Sequence, residues 1–224
     1  MPREPRPFKA EVDFILRESA RYLRLPPQSA DIKSVWVGLR PLVKPPREEA
    51  GNTQRLSREH TVLASRSGLV TVTGGKWTTY RAMAEDVLAH CFSQSLLGER
   101  PSGQTAHLRL VGAPVPGLAL TPISQAPGIH LYGAEQARVL SLPGAGHVLC
   151  PGLTEAMVRF AARYEYALKV EDVLARRSRL LFLDARLAGA LADQVGEILQ
   201  QETGQNPQIE EFMCLAQDYL QLPG

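Results

Sequence analysis

Apolar positions recur along this chain at two spacings, and the switches between them mark its elements. From Lys9 to Leu25, the residues Val12, Ile15, Leu16, Ala20 and Leu23 fall on one helical face. Pro26-Pro27 ends that run. Val35, Val37 and Leu39 alternate within Ile32 to Val43, which predicts a strand that carries Arg40 near its end and stops at Pro41. Residues 44 to 53 are polar and read as loop. Ser57 to Leu63 and Leu69 to Thr73 flank a Ser65 to Gly68 turn signal, so they predict a hairpin. After Gly74-Gly75-Lys76, helical spacing returns at Tyr80, Met83, Ala84, Val87, Leu88 and Cys91.

The character changes between Phe92 and Leu131. Pro101, Pro114, Pro116, Pro122 and Pro127 share that stretch with several glycines, which predicts a linker with a short extended piece at His107 to Val111. From Gly133 the chain turns helical. Thr154 stands as an N-cap before a stripe of Met157, Phe160, Ala161, Tyr164 and Ala167 or Leu168. Glu165 with Lys169, and Asp172 with Arg176, have the i,i+4 spacing of helix ion pairs. Asp184 opens a further helix through about Gln201, with Leu187, Leu191, Val195, Ile198 and Leu199 inward. Gly204 and Pro207 separate it from a last helix, Ile209 to Leu220.

Composition narrows the class. The 224 residues are 44% hydrophobic and 21% charged, as in an ordinary globular protein with one large domain or two small ones. A net charge of +2 argues against nucleic acid as a partner. No apolar run approaches the roughly 20 residues of a membrane span, and the Pro/Arg-rich N-terminus has no apolar core of a secretory signal. Cys91, Cys150 and Cys214 are sparse and odd in number, which fits a reducing compartment. His60, His90, His107, His130 and His147 have no metal-ligand spacing, so no metal site is expected.

The candidate chemistry sits at Gly74-Gly75-Lys76-Trp77-Thr78-Thr79-Tyr80-Arg81, a strand-to-helix junction. Two glycines admit close approach to the backbone. A helix start offers unpaired N–H groups and partial positive charge, and Lys76 adds a full one. Such a place can hold a phosphate, a carboxylate or a ring carbonyl that gains negative charge. It is not a Walker loop, which needs G-x-x-x-x-G-K-[ST], and a bare G-G-K by itself reads more often as a tight turn with an exposed lysine. Arg40, wedged among apolar neighbours, either pairs with an internal carboxylate or points into a cleft to meet an anion. Arg58 lies on one arm of the hairpin, with a solvated strand face as the plainer reading. Together Arg40, Arg58 and Lys76 can converge on one anionic group. The basic cluster Arg176-Arg177-Ser178-Arg179 could meet a lipid headgroup or partner, but nearby Glu165, Glu171, Asp172 and Asp184 favour internal pairing.

Several blocks, in this order and spacing, resemble the FAD-dependent, quinone-linked glycerol-3-phosphate dehydrogenases. They are Ser34-Val-Trp-Val-Gly-Leu-Arg-Pro-Leu, Ser57-Arg-Glu-His, Ser67 through Asp86 with its central Thr-Gly-Gly-Lys-Trp-Thr-Thr-Tyr-Arg, Val158 to Ala167, and Val170 to Asp184. Glu59 departs from the aspartate more usual in the family. The family's opening G-x-G-x-x-G fingerprint has no counterpart here; Gly144-Ala-Gly146 follows no strand and is rejected. The resemblance therefore implies the C-terminal portion of such an enzyme, with its N-terminal Rossmann half absent and no complete catalytic set.

What the resemblance implies is specific. The fold is α+β: a partial antiparallel substrate-domain sheet with flanking helices, then an all-helical C-terminal domain. Residues 1–92 form the end of the flavin and substrate region, 93–132 a linker, and 133–224 a helical cap. Arg40, Arg58 and Lys76 bind the glycerol phosphate, and Gly74, Gly75, Lys76, Thr78 and Thr79 lie beside the flavin ring. The intact enzyme uses FAD, hands electrons to quinone, and is cytoplasmic with peripheral contact at the cytoplasmic membrane face; homodimerisation stays open. The chain alone is expected to hold no FAD and to be inactive. The alternatives are a non-enzymatic helical interaction module with a vestigial anion pocket, and a related flavoenzyme acting on another anionic substrate.

Overall fold

A computed structural model describes residues 4–39, 60–98, 100–101, 103–114, 116–117, 121–122 and 124–224. In chain order the elements are α1 (Lys9–Ala20), β1 (His60–Ala64), β2 (Val70–Gly74), α2 (Tyr80–Ser93), α3 (Gln136–Leu140), β3 (Val148–Cys150) and β4 (Leu153–Thr154). Then come α4 (Glu155–Tyr164), a π-helix at Asp172–Arg177, α5 (Leu180–Leu183), α6 (Ala185–Ala190), α7 (Ala192–Thr203) and α8 (Ile209–Leu220). The fold is α+β, its strands forming two small antiparallel pairs, β1 with β2 and β3 with β4. The chain divides into two units, one of Met1–Gly38 with Leu110–Gly224 and the other of Leu39–Arg109. No helix among the described residues is long and apolar enough to cross a membrane.

In the Leu39–Arg109 unit, β1 and β2 pair antiparallel with Val62 opposite Val72 and His60 opposite Gly74. The Gly68 N–H closes the turn onto the Ser65 carbonyl at 3.0 Å. His60 Nε2 meets Asp86 Oδ2 at 2.7 Å and ties the hairpin to α2. Cys91 is the one residue of this unit, among those described, that is buried. Of the piece expected to be extended at His107 to Val111, His107 and Val111 fall in turns and no residue is in a strand.

The other unit has a true core. Thr154 caps α4 as its position predicts, its hydroxyl accepting from the Met157 N–H at 3.3 Å. Met157, Phe160 and Ala161 then turn inward at helical spacing, and Ala192, Val195 and Leu199 of α7 do the same. Phe160, Leu174, Leu181 and Leu199 are the largest wholly buried side chains. The single helix expected from Asp184 to about Gln201 is two. Asp184 caps α6 by accepting from the Leu187 N–H at 3.0 Å. At Leu191 the N–H is shared between the carbonyls of Leu187 and Ala188, both at 3.2 Å, and the axis turns there. Gly204, at φ +68°, ends α7.

A network of charge locks α4 to α7. Arg159 donates to Glu155 at 2.8 Å, to Glu202 at 2.6 Å and to Gln201 at 3.0 Å. Arg163 donates to the same Glu202 at 2.5 Å, and His147 meets Glu155 at 2.8 Å. Hydrogen bonds from Arg163, then from Arg159, hold the Glu202 carboxyl below its ordinary range, and those from His147 and Arg159 do the same for Glu155.

The basic cluster pairs internally, at least for two of its members. Arg176 bonds Glu171 at 2.5 Å, and Arg177 lies 3.6 Å from Glu165 Oε2 and donates to the carbonyl of Asp172 at 2.9 Å. The spacing differs from the i,i+4 expectation because the helix is widened. The Ser178 N–H reaches back five residues to the Val173 carbonyl at 2.9 Å, so Arg176 faces the residue five before it. Asp172 instead accepts the N–H groups of Leu168 and Lys169, at 2.9 and 3.0 Å.

The N-terminal residues lie on this same unit. Helix α1 stops at Ala20, ahead of the proline pair, where bonds from Arg21 to Glu18 and Tyr22 to Ser19 tighten its last turn. Arg6 pairs with Asp218 at 2.8 Å, and the Tyr219 hydroxyl donates to Glu4 at 3.2 Å. Residues 32–38, expected as part of a strand, are in no strand and pair with none among those described. Their hydrogen bonds go to helices.

Glu202→Ala removes the acid that two guanidinium groups share, one of them only 14% exposed. Its expected cost is about 3 kcal/mol near neutral pH, read from denaturant midpoints. Because the folded carboxyl titrates below its unfolded value, the wild-type advantage is complete above the ordinary carboxylate range and shrinks as pH falls through the folded pKa. Denaturation at acid pH is therefore expected to bring the two proteins together.

Candidate functional site

The junction Gly74–Thr79 is built from opposed local demands. β2 carries an extended backbone up to Gly74, and α2 begins six residues later at Tyr80. The chain reverses between them through Gly74 at φ +77° and Gly75 at φ +79°, a region that residues with a Cβ avoid. At Gly75 a Cβ would also stand 2.6 Å from the Met83 sulfur and 3.1 Å from the His60 Cβ. The glycine thus lets the turn press onto the first turn of α2 and the start of β1.

Lys76 returns to extended geometry, and Trp77–Thr79 make one 3₁₀ turn closed by the Thr79 N–H on the Lys76 carbonyl at 3.0 Å. Thr79 occupies the cap position of α2, but its hydroxyl donates backwards to the Lys76 carbonyl at 3.0 Å and accepts no helix N–H. No side chain caps α2, whose first N–H, that of Tyr80, donates to the Trp77 carbonyl of the 3₁₀ turn, while Lys76 is exposed and has no ion pair among the described residues. A helical start without a side-chain cap, beside a cation, suits an electron-rich group. Trp77, 85% exposed, stacks on Tyr80 with ring centroids 5.4 Å apart.

Of the site residues expected from sequence, Gly74, Gly75, Lys76, Thr78 and Thr79 fall in this one junction. Arg40 and Arg58 lie outside the described residues. Sequence reasoning did not single out the His60–Asp86 pair, which braces the junction from beneath. Its members are 26 residues apart, and only the hairpin register opposite Gly74 brings His60 to α2.

Residues 103–209 match the family model for the C-terminal domain of alpha-glycerophosphate oxidase. Over 88% of its length the chain is 36% identical to the mitochondrial glycerol-3-phosphate dehydrogenase SDP6 of Arabidopsis thaliana, of which it covers 36%. Over 98% of its length it is 30% identical to the mitochondrial glycerol-3-phosphate dehydrogenase of Schizosaccharomyces pombe, covering 41%. The glycerol-3-phosphate dehydrogenase of Bacillus halodurans, solved in complex with FAD, superimposes with a TM-score of 0.64 at 23% identity, over 96% of this chain and 45% of that one. The chain thus spans less than half the length of these proteins.

Gly75→Ala is expected to lower the stability of the hairpin and α2 by about 1–2 kcal/mol, the cost of a Cβ in left-handed geometry. Lys76→Ala, with no ion pair to lose among the described residues, is expected to stay within about 0.5 kcal/mol of the parent. Hydrogen exchange of the β1–β2 amides measures both.

Proposed function

Because the chain belongs to the glycerol-3-phosphate oxidase/dehydrogenase family, we propose that it forms the C-terminal part of an enzyme that oxidises sn-glycerol 3-phosphate to dihydroxyacetone phosphate. FAD, when bound, accepts the hydride and passes the electrons on, in this reading to quinone. The chain's own residues bind and orient. Lys76, with Arg40 and Arg58, neutralises the phosphate, a bidentate guanidinium suiting its oxygens. The Gly74-Gly75 turn would admit the flavin ring close to the backbone, and the helical start at Trp77 would favour negative charge there. In this assignment residues 1–92 belong to the flavin and substrate region, 93–132 to a linker and 133–224 to the helical cap. The intact enzyme would be cytoplasmic and touch the membrane peripherally at its cytoplasmic face.

The observation that carries the reading is the helical start at Trp77–Tyr80, without a side-chain cap, approached through two left-handed glycines and flanked by a lysine that has no ion pair among the described residues. The unit that holds it also buries just Cys91 among its described residues, with Leu69 66% and Trp77 85% exposed. So small a core favours completion by further protein. A second reading has one observation in its favour: the helical unit has a core of its own, as a free-standing interaction module would.

The purified chain is expected to be colourless and to oxidise no glycerol phosphate. Co-production with the flavin-binding half of a family member is expected to restore a flavin spectrum and turnover. Binding without turnover would favour the interaction module, and flavin on the chain alone would refute the division of labour. In the restored enzyme, Arg40→Ala or Arg58→Ala is expected to raise KM about tenfold or more, since one charge-assisted contact is worth roughly 1.5–3 kcal/mol. An unchanged KM removes that arginine from the phosphate site.

A further inference from the structure

The functional reading leaves the helical unit without a task, yet a cavity of about 330 Å³ lies wholly within it. That is the size at which pockets for small organic molecules begin. Leu153, Met157, Val173 and Leu180 give it an apolar wall, and Tyr132 and Glu165 stand among its polar groups. The backbone beside it is irregular twice over. The π-helix ends there with Arg177, and Arg179 holds a left-handed φ of +58° although it carries a Cβ. Both irregularities are commonest where a ligand is held.

The polar groups of the cavity divide into those already spent and those still free to bond. The Arg177 guanidinium donates to the carbonyls of Asp172 and Glu165. Glu135 accepts from Arg138 at 2.9 Å. Glu165 is different. Its Oε2 is shut off from water and accepts no hydrogen bond among the described residues, and Arg177 Nε, 3.6 Å away, is beyond bonding reach. The side chain as a whole is still 37% exposed, and the soft terminal torsion of a glutamate can present either oxygen. Burial raises its pKa, which the Arg177 charge opposes and the Glu135 charge assists. The Tyr132 ring is set edge-on against Phe160, centroids 5.2 Å apart, and its hydroxyl makes no hydrogen bond among the described residues. Burial, with the Glu165 charge added, pushes that hydroxyl up to about 12, so it stays a neutral donor near pH 7. One acceptor and one donor are thus left over in an apolar surround. The charges themselves are matched, Glu135 with Arg138 and Glu165 with Arg177. Arg179 is exposed, where water screens its charge. An ion entering the cavity would bring a charge with no counterion inside.

We propose that this cavity binds a small uncharged molecule with an apolar body and a head that donates to Glu165 and accepts from Tyr132, such as a primary amide or an alcohol. The proposal is independent of the role given to the junction.

The test titrates benzamide into the isotope-labelled full chain and follows its amide resonances. Benzoate and benzylammonium have nearly the same shape but carry a charge, and each lacks either the donor or the acceptor. Benzamide is expected to saturate with a Kd of about 1–10 mM, as so few non-hydrogen atoms allow, with shifts centred on Gly128, Gly152 and Leu180. The two ions are expected to bind at least about tenfold more weakly. Tyr132→Phe and Glu165→Gln are each expected to weaken benzamide about threefold to tenfold, the range of one lost or discharged hydrogen bond. The resonances of α7 and α8 report whether each variant is folded, and one folded variant suffices. Unaltered affinity in a folded variant overturns the assigned pairing. Benzoate or benzylammonium binding as tightly as benzamide overturns the ligand class. Shifts centred elsewhere, or no saturation up to about 50 mM, overturn the site.

Discussion

Arg159 sits where few charges are tolerated, 14% exposed between the start of α4 and the end of α7. A guanidinium so withdrawn from water must be paired, and its planar fork accepts few geometries. Glu155 lies one turn earlier on its own helix, while Glu202 comes from the far end of α7. Satisfying both fixes the rotation of α4 about its axis and its height against α7. That rotation decides which stripe of α4 enters the core, and Met157, Phe160 and Ala161 are the residues it turns inward. The cap at Thr154 and the contact of His147 with Glu155 hold the same end from the other side. The apolar core supplies most of the driving force, and the charges choose the register in which it is buried.

The two units rest on different physics. The helical unit closes a contiguous core over α3 to α8. Among the described residues, the hairpin and α2 are held chiefly by a five-residue ladder, the His60–Asp86 bond and one buried cysteine. Large apolar side chains such as Leu63, Leu69, Val72 and Trp77 remain in water. The junction with the candidate chemistry is on the less self-sufficient unit. Its local geometry is nevertheless well determined, because Gly74, Gly75 and the Thr79 hydroxyl fix it through short-range contacts.

Short-range order was legible where neighbours along the chain dictate it. The β-branched runs either side of Ser65–Gly68 form the hairpin, the stripe after Thr154 forms α4 with its cap, and the last helix runs from Ile209 to Leu220 as its pattern says. Among the candidate site residues, the contiguous set from Gly74 to Thr79 needed only a strand ending and a helix beginning. The direction of the Thr79 hydroxyl was not legible, because a threonine before a helix can donate to a carbonyl behind it as readily as accept from ahead.

The sequence by itself determined which stretches extend, which coil, which faces are apolar, and the family resemblance carried by the blocks around Arg40, Arg58 and Lys76. Only the tertiary structure decided what each stretch is joined to. Alternation at Val35 and Val37 specifies an extended backbone, but a strand and a strap over helix ends alternate alike, and the choice fell to free groups on Leu181, Ala185 and Tyr219, more than 140 residues away. Periodicity reports the dihedral angles a residue prefers and the side it buries, whereas hydrogen-bond partners are set by where distant elements come to rest.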